Sequence, residues 1–351
     1  MENSLPDIKL SICIPTYNRA QFIGETIQSV ISQAGNNVEI IIVDGASTDN
    51  TADVVQSLTK EFREFRNLVY YRGEKNMGVD RDMAKTIELS RGEYCWLLSD
   101  DDWLKPGAIN RILKEIESEY EIYLCNVTAC SLFMQPIKER FWLSREVKDR
   151  IFHLHNKNEL IEYCNKANSI GAFFSYMSSI VLRREEWNKT GYNYDFDGTA
   201  YALASSLLSF ISRSCRLKYI RDRLVLWRND NESFQNEGGL VKRFLLDFDG
   251  YLQLADKYLA ENQNVRDAFL KVMIREHPWY TIINVTSFID SPEVWRQFRG
   301  KLLKFGYNPR VVAICYTLGR FKYLVSVAVT MKRKIVKSRR IHKVAELLYR
   351  K

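Results

Sequence analysis

The sequence predicts an α/β protein with a mostly parallel central sheet flanked by helices and a helical C-terminal extension. Three observations predict it. Over residues 1–127, short apolar, β-branched runs alternate with amphipathic helical patterns. Polar and charged residues gather immediately after each of those runs. From Leu240 onward helical periodicity dominates. These patterns divide the chain into a domain over 1–235, with a first half at 1–127 and a second at 128–235, and a basic helical region over 236–351.

Lys9–Ile14 is a short apolar run ended by Pro15, and Phe22, Ile23, Thr26, Ile27, Val30 and Ile31 then follow at helical spacing. Val38–Val43 is a continuous β-branched run, as expected of a strand buried on both faces. Ser47 or Asp49 can cap the next helix, with its stripe of Val54, Val55, Leu58, Phe62 and Phe65. Leu68–Tyr71 reads as a third strand, Val79–Ser90 as a helix stopped at Gly92, and Tyr94–Leu98 as a fourth strand. Pro106 opens a helix carrying Ile109, Ile112, Leu113 and Ile116, and Ile122–Val127 closes the series. Residues 131–168 are charged and mixed. SIGAFFSYMSSIVL reads as a loop then a strand, Thr199–Ser212 as a helix and Leu224–Trp227 as a strand.

In a parallel sheet of this kind ligands bind outside the carboxyl ends of the strands. The residues found there are Pro15, Thr16, Tyr17, Asn18 and Arg19, then Asp44 and Gly45. Asn76, Gly78, Asp80 and Arg81 follow the third strand, and Ser99, Asp100, Asp101 and Asp102 the fourth. Consecutive carboxylates repel one another unless a cation, hydrogen bonds or solvent stabilise them. Mn²⁺ or Mg²⁺ takes such oxygen ligands together with substrate phosphates, and as a Lewis acid it favours departure of a diphosphate. An acidic turn before the helix at Pro106 is the plainer reading. Asp44 can accept a hydrogen bond from a base N–H or cap the following turn. Arg81 can pair with phosphate or with Asp80 or Asp82.

Composition bounds the rest. Hydrophobic residues are 46% and charged residues 27% of 351, a globular profile. The seven cysteines form no CxxC pair, and Cys13, Cys95 and Cys125 lie in apolar runs, which points to reduced thiols. The N-terminus lacks the pattern of a signal peptide, and no run reaches the ~18 apolar residues of a membrane span. Net charge is +8, and Lys332, Arg333, Lys334, Lys337, Arg339, Arg340 and Lys343 occur with no acid among them. That cluster reads as a solvated face or as attachment to anionic lipid. No nucleic-acid-binding motif accompanies it.

Four segments in order, LSICIPTYNRAQFIGETIQSVISQ, EIIIVDGASTDNT, NMGVDRDMA and GEYCWLLSDDDWLKPGA, closely resemble family 2 glycosyltransferases of the GT-A fold. The resemblance implies a nucleotide diphosphate sugar as donor, with Thr16, Tyr17 and Asp44 on the nucleotide. Pro15, Arg19, Asn76, Gly78 and Arg81 are expected around it. Aligned on the Trp-Leu that follows, the family's Asp-x-Asp falls on Ser99-Asp100-Asp101. That alignment gives the metal to Asp101, with Asp102 as a further candidate ligand, and puts Ser99 and Asp100 against the donor.

In the second half, IYLCN, SIGAFFSYMSSIVLRREEW and LWRNDNESF are similar to bacterial O-antigen glycosyltransferases of the abequosyltransferase type. This implies transfer of a 3,6-dideoxyhexose from a CDP-sugar to a polyprenyl-diphosphate-linked oligosaccharide. It also implies a cytoplasmic protein peripheral on the inner face of the bacterial plasma membrane. One departure stands out. The family's Glu-Asp pair, whose Asp is the general base, falls near Thr199-Ala200; Asp195 and Asp197 just before it are the candidate substitutes, or else turn residues. Arg228 is a candidate phosphate or acceptor contact, or an ion pair at a strand edge. A nucleotidyltransferase or a non-catalytic nucleotide-sugar binder are the competing readings, although PTYNRA has no glycine for a phosphate loop.

Overall fold

A computed structural model describes residues 7–211, 213–229 and 239–321. The basic run between Lys332 and Lys343 lies outside the described residues. Two compact units form, one from Met1–Glu232 with Gly250–Val272 and one from Ser233–Asp249 with Met273–Lys351.

In the first unit the strands and helices run β1 (Leu10–Thr16), α1 (Ile23–Ile31), β2 (Val38–Asp44), α2 (Thr51–Glu61), β3 (Leu68–Arg72), α3 (Val79–Leu89) and β4 (Tyr94–Leu97). Then come β5 (Trp103–Leu104), α4 (Ala108–Ile116), β6 (Ile122–Cys130), β7 (Pro136–Arg140), β8 (Arg150–His153) and α5 (Lys157–Lys166). β9 (Ile180–Arg183), α6 (Arg184–Thr190), α7 (Ala202–Ile211) and β10 (Arg216–Arg228) complete the sheet. α8 (Gly239–Tyr258), α9 (Gln263–Glu276), α10 (Trp279–Thr286), α11 (Pro292–Lys304) and α12 (Pro309–Arg320) follow.

The sheet order is β3-β2-β1-β4-β9-β6-β10-β5, with β7 on β6 and β8 on β10. β3, β2, β1 and β4 are mutually parallel, as the alternation predicts, and every residue of β1, β2 and β4 is buried. The series does not continue straight into β6. β9, from SSIVLR, inserts antiparallel between β4 and β6, and β6 then pairs parallel with β10. β10 is much longer than the Leu224–Trp227 run predicts, because a polar first half, Arg216–Arg223, pairs with β6 and β8.

One buried carboxylate anchors the edge of the parallel half away from the site. Glu39 accepts from the Ser11 hydroxyl at 2.7 Å and the Arg91 amide at 2.6 Å, and pairs with the Arg91 guanidinium at 2.9 Å. A charge held inside a sheet is tolerable only with such full hydrogen bonding. All seven cysteines are buried free thiols, as their apolar surroundings predict.

The second unit is helical. Phe244, Phe248, His277, Phe298 and Phe305 form its aromatic centre. Burial drives the His277 imidazole down to about 4, so it is a neutral core residue. α10 and α12 pack closely where Gly319 faces Thr286: a Cβ there would stand 2.2 Å from the Thr286 hydroxyl.

Candidate active site

The parallel pairing brings three strand ends to one edge. Thr16 of β1 lies in register with Asp44 of β2, and Cys13 with Leu97 of β4, so the loops after these strands emerge side by side. The first two loops are sewn together. The Asn18 side-chain oxygen Oδ1 accepts from the Thr48 backbone amide at 2.7 Å, the Asn18 backbone amide donates to the Ser47 hydroxyl at 2.8 Å, and the Arg19 backbone amide donates to the Thr51 hydroxyl at 2.9 Å. Asn18 takes φ +54, which asparagine tolerates better than most residues. Pro15 lies within β1, Thr16 is buried and Tyr17 is 42% exposed.

Asp44 is fully buried. One oxygen accepts from the Ser47 amide at 2.7 Å and the other from the Tyr70 hydroxyl at 2.5 Å. In this state it caps the turn and is held by a tyrosine on β3 that sequence reasoning missed. Gly45 permits the close approach of α3: a Cβ there would stand 2.5 Å from the Asp82 carboxylate. Burial, reinforced by the Asp44 charge, pushes Asp82 up to about 6. Asn76 is exposed and its side chain accepts from the Gly78 amide at 2.8 Å, shaping the turn into α3.

The acidic run separates into three different carboxylates. Asp100 is 7% exposed, its backbone carbonyl accepts from the Thr26 hydroxyl of α1 at 2.9 Å, and Arg19 lies 3.6 Å from its carboxylate. Burial, then the charge of Asp101, lifts Asp100 to about 7, against the pull of Arg19 and of the nearby Thr16 hydroxyl and Tyr17 amide. Asp101 is partly exposed, and the Ser99 hydroxyl donates to it at 2.6 Å.

Asp102 is 1% exposed and accepts from Tyr176 at 2.5 Å, Ser178 at 2.6 Å and the Arg228 amide at 3.0 Å. Burial and the Asp101 charge push it to about 8 despite these donors. Asp102 therefore has the surroundings of a structural clamp rather than of an open metal ligand: both oxygens are taken and water is excluded. The antiparallel pairing of β5 with β10, Trp103 opposite Leu226, is what delivers it to Arg228.

Arg228 is likewise internal rather than offered to a substrate. Its side chain is 3% exposed, and it donates to the Asp101 carbonyl at 2.9 Å, to Leu132 and to Glu25 at 2.6 Å. Phe22 and Trp103 flank the guanidinium at 4.7 and 5.6 Å. It rivets β10 to α1 and to the acidic loop.

Arg81 and Asp197, candidates in the sequence for donor phosphate or a local ion pair and for acceptor deprotonation or a turn, are each other's partner. Arg81 binds the Asp197 carboxylate through two nitrogens, at 2.6 and 2.7 Å, and Tyr192 donates to it at 2.7 Å. The Arg81 bond, seconded by Tyr192, holds Asp197 below the usual carboxylate range. Next to this pair, Asp80 is raised to about 6 by burial, against the pull of the nearby Gly198 and Ala200 amides. Asp195 is a surface residue, 77% exposed and paired with Lys257 at 2.7 Å.

The two most strongly raised carboxyls, Asp100 and Asp102, predict a pH dependence. Groups whose folded pKa exceeds the unfolded value near ~3.9 stabilise most when protonated, and that contribution is lost as pH climbs toward the folded values. For Asp100 and Asp102 the window runs from the unfolded value up to about 7 and about 8. The thermal midpoint of the metal-free protein should therefore fall between about pH 5 and 8, and Asp102→Asn should flatten the fall. An identical slope in the variant would contradict the burial of an ionisable Asp102.

The candidate ligands for a cation are few. Among the described residues no cluster of three or more His, Cys, Asp or Glu side chains is arranged around a common point. The Asp100–Asp101 pair still fits a hard divalent ion. Its oxygens are the right donor type, and burial with the neighbouring Asp101 charge makes a second negative charge at Asp100 costly, which a cation would relieve.

Comparison with known proteins gives the family and the fold. Residues 11–183 match the family model described as Glycosyl transferase family 2. The chain is 31% identical over 329 residues to the abequosyltransferase RfbV of Salmonella typhimurium, covering 92% of this chain and 97% of that one. It is 28% identical over 190 residues to the GalNAc(5)-diNAcBac-PP-undecaprenol beta-1,3-glucosyltransferase of Campylobacter jejuni, 52% of this chain and 56% of that one. Among solved structures, S. aureus TarS 1-349 in complex with UDP-GlcNAc superimposes with a TM-score of 0.62 at 16% identity, over 85% of this chain and 80% of that one. The fold is GT-A, and the chain belongs to glycosyl transferase family 2.

Proposed function

We propose that the protein transfers a sugar from a nucleotide diphosphate donor to a lipid-linked oligosaccharide in O-antigen or related polysaccharide synthesis. The observation that carries the donor site is the convergence of the β1, β2 and β4 ends, with Asp101 the least buried aspartate of the acidic run. Thr16, Tyr17, Arg19 and Asp44 form the nucleotide side of that edge, with Pro15, Asn76 and Gly78 shaping its loops. Asp44 reaches a base N–H only by exchanging the Tyr70 or Ser47 bond it now accepts. Ser99 and Asp100 flank the ribose and diphosphate.

Asp101, with Asp100 beside it, would hold Mn²⁺ or Mg²⁺, whose charge stabilises a departing diphosphate. The chain's own part is to aim that pair, through Thr26 on the Asp100 carbonyl and Arg228 on the Asp101 carbonyl. Asp102 is not needed as a ligand in this scheme. In the reaction an acceptor hydroxyl oxygen bonds to the anomeric carbon, the bond from that carbon to the diphosphate breaks, and the hydroxyl proton passes to a base.

For donor identity, a CDP-activated 3,6-dideoxyhexose is the first choice, because the full-length similarity is to an abequosyltransferase. A polyprenyl-diphosphate acceptor agrees with the name of the Campylobacter relative. No described helix is long and apolar enough to cross a membrane, and attachment to its inner, cytoplasmic surface is the arrangement such an acceptor requires. Incubation with Mn²⁺ and a panel of CDP-, UDP-, GDP- and dTDP-sugars, with and without acceptor, tests the reading through nucleotide release. Acceptor-dependent release from one donor supports it; silence from every donor sinks it.

Asp197 is better suited to latching than to proton abstraction. A base works best with a pKa near the working pH, and Arg81 pulls Asp197 the other way. The latch reading expects Arg81→Ala and Asp197→Asn to lower kcat by similar amounts, about tenfold, since they break the same pair. The base reading expects Asp197→Asn alone to cost more, about a hundredfold or above. Steady-state kinetics of the two variants separates them.

A further inference from the structure

Among the described residues of the second unit, an apolar stripe on α12 is exposed. On α12, Val311, Ile314 and Leu318 recur at helical spacing, exposed by 39, 57 and 44%, and Phe321 follows at 57%. The opposite side of the helix is occupied. Cys315 and Gly319 face α10, and Tyr316 stacks on Trp295 of α11 with ring centroids 4.0 Å apart. On the adjoining α10, Trp279 and Tyr280 are exposed by 59 and 53% and pack edge to face against one another. Phe288, just beyond α10, is exposed as well.

The charges on α12 itself have one sign. Arg310 and Arg320 are exposed at the two ends of α12, and the sequence from Pro309 to Ala345 contains no aspartate or glutamate. The basic run from Lys332 to Lys343 lies within that same stretch. Aliphatic side chains bordered by arginines, with a tryptophan and a tyrosine alongside, are the pattern that settles into the headgroup region of an anionic bilayer. A soluble partner protein would meet the apolar residues equally well, but an anionic lipid surface also explains a cationic stretch of this length.

We propose that the α12 face, Val311–Ile314–Leu318–Phe321 with Trp279 and Tyr280, is an attachment surface inserted into the interface of an anionic membrane. The basic run adds electrostatic attraction to it. The proposal supplies the apolar half of the membrane contact that a lipid-linked acceptor calls for, and it is independent of which nucleotide sugar is the donor.

Sedimentation of the full-length protein with phosphatidylglycerol–phosphatidylethanolamine vesicles, against phosphatidylcholine vesicles, tests it. Ile314→Glu with Leu318→Glu should weaken binding to the anionic vesicles at least about tenfold. Donor-dependent nucleotide release in solution should be unchanged, since neither residue lies in the donor site. Ile314→Ser with Leu318→Ser is the milder pair should the first fail to fold, and it should weaken binding in the same direction. Vesicle binding as tight as the parent protein's in a folded variant overturns the proposal, because the basic run would then suffice. A lipid-free dimer that the substitutions dissociate also overturns it, by giving the stripe to a second copy. Failure of every donor alongside retained vesicle binding counts against the proposed function and leaves this surface standing.

Discussion

Asp101→Asn should lower sugar transfer by roughly three orders of magnitude while leaving the protein folded. Asparagine keeps the side chain's size and an oxygen for the Ser99 hydroxyl, now 2.6 Å away, and removes only the charge. Because Asp101 is partly exposed, the loss of charge leaves no buried group unpaired, so thermal unfolding should shift little. The two readouts are transfer with the preferred donor and the unfolding midpoint without metal. Transfer within about tenfold of the parent would remove Asp101 from the donor site, whatever the fold says.

Arg228→Ala should have the opposite profile, with a loss of folding stability of about 3 kcal/mol. Its guanidinium is buried, donates to two backbone carbonyls and to Glu25, and is flanked by two aromatic rings. Removing it strands the Asp101 and Leu132 carbonyls in a site too tight for easy hydration, although Glu25, half-exposed, regains water. Arg228→Lys should recover little, because one ammonium group cannot reproduce a planar fork that serves three acceptors. Chemical denaturation measures the loss. An unchanged midpoint together with a raised KM would restore Arg228 to the role of substrate contact.

These two residues show what the sequence makes legible and what it does not. The parallel half is legible because its strands are buried on both faces and so read as unbroken apolar runs, with the functional loops at their carboxyl ends. Thr16, Asp44 and the Ser99–Asp102 run all lie on the edge that this rule predicts. The place of β9 is not legible: a four-residue strand carries no local mark of which neighbours it joins, and its neighbours are far off in the chain. For the same reason β10 is underestimated, since its Arg- and Lys-rich first half is a strand only through pairing with β6 and β8.

The division of labour among Asp100, Asp101 and Asp102 is a matter of environment. Three identical side chains in a row differ because Arg19 meets the first, Ser99 the second and Tyr176, Ser178 and Arg228 the third. Tyr176 and Ser178 come from the segment just before β9, so their role could be found only once that strand was placed. The Arg81–Asp197 pair spans 116 positions, and both partners have ordinary alternative uses when read locally. Glu25 and Tyr70 gave no signal at all, being an ordinary helix-surface acid and an ordinary strand tyrosine.

The central claim is that the Ser99–Asp102 run, at the joined ends of β1, β2 and β4, is where the donor's diphosphate and its cation bind. A crystal structure of the protein with Mn²⁺ and the nucleoside diphosphate it prefers, using the anomalous signal of manganese, tests this most directly. The account predicts a manganese peak at the Asp101 carboxylate, bridged to the diphosphate, with Asp102 still held by Tyr176, Ser178 and Arg228. A nucleotide bound elsewhere, or a manganese peak on Asp102 with its clamp undone, would contradict it.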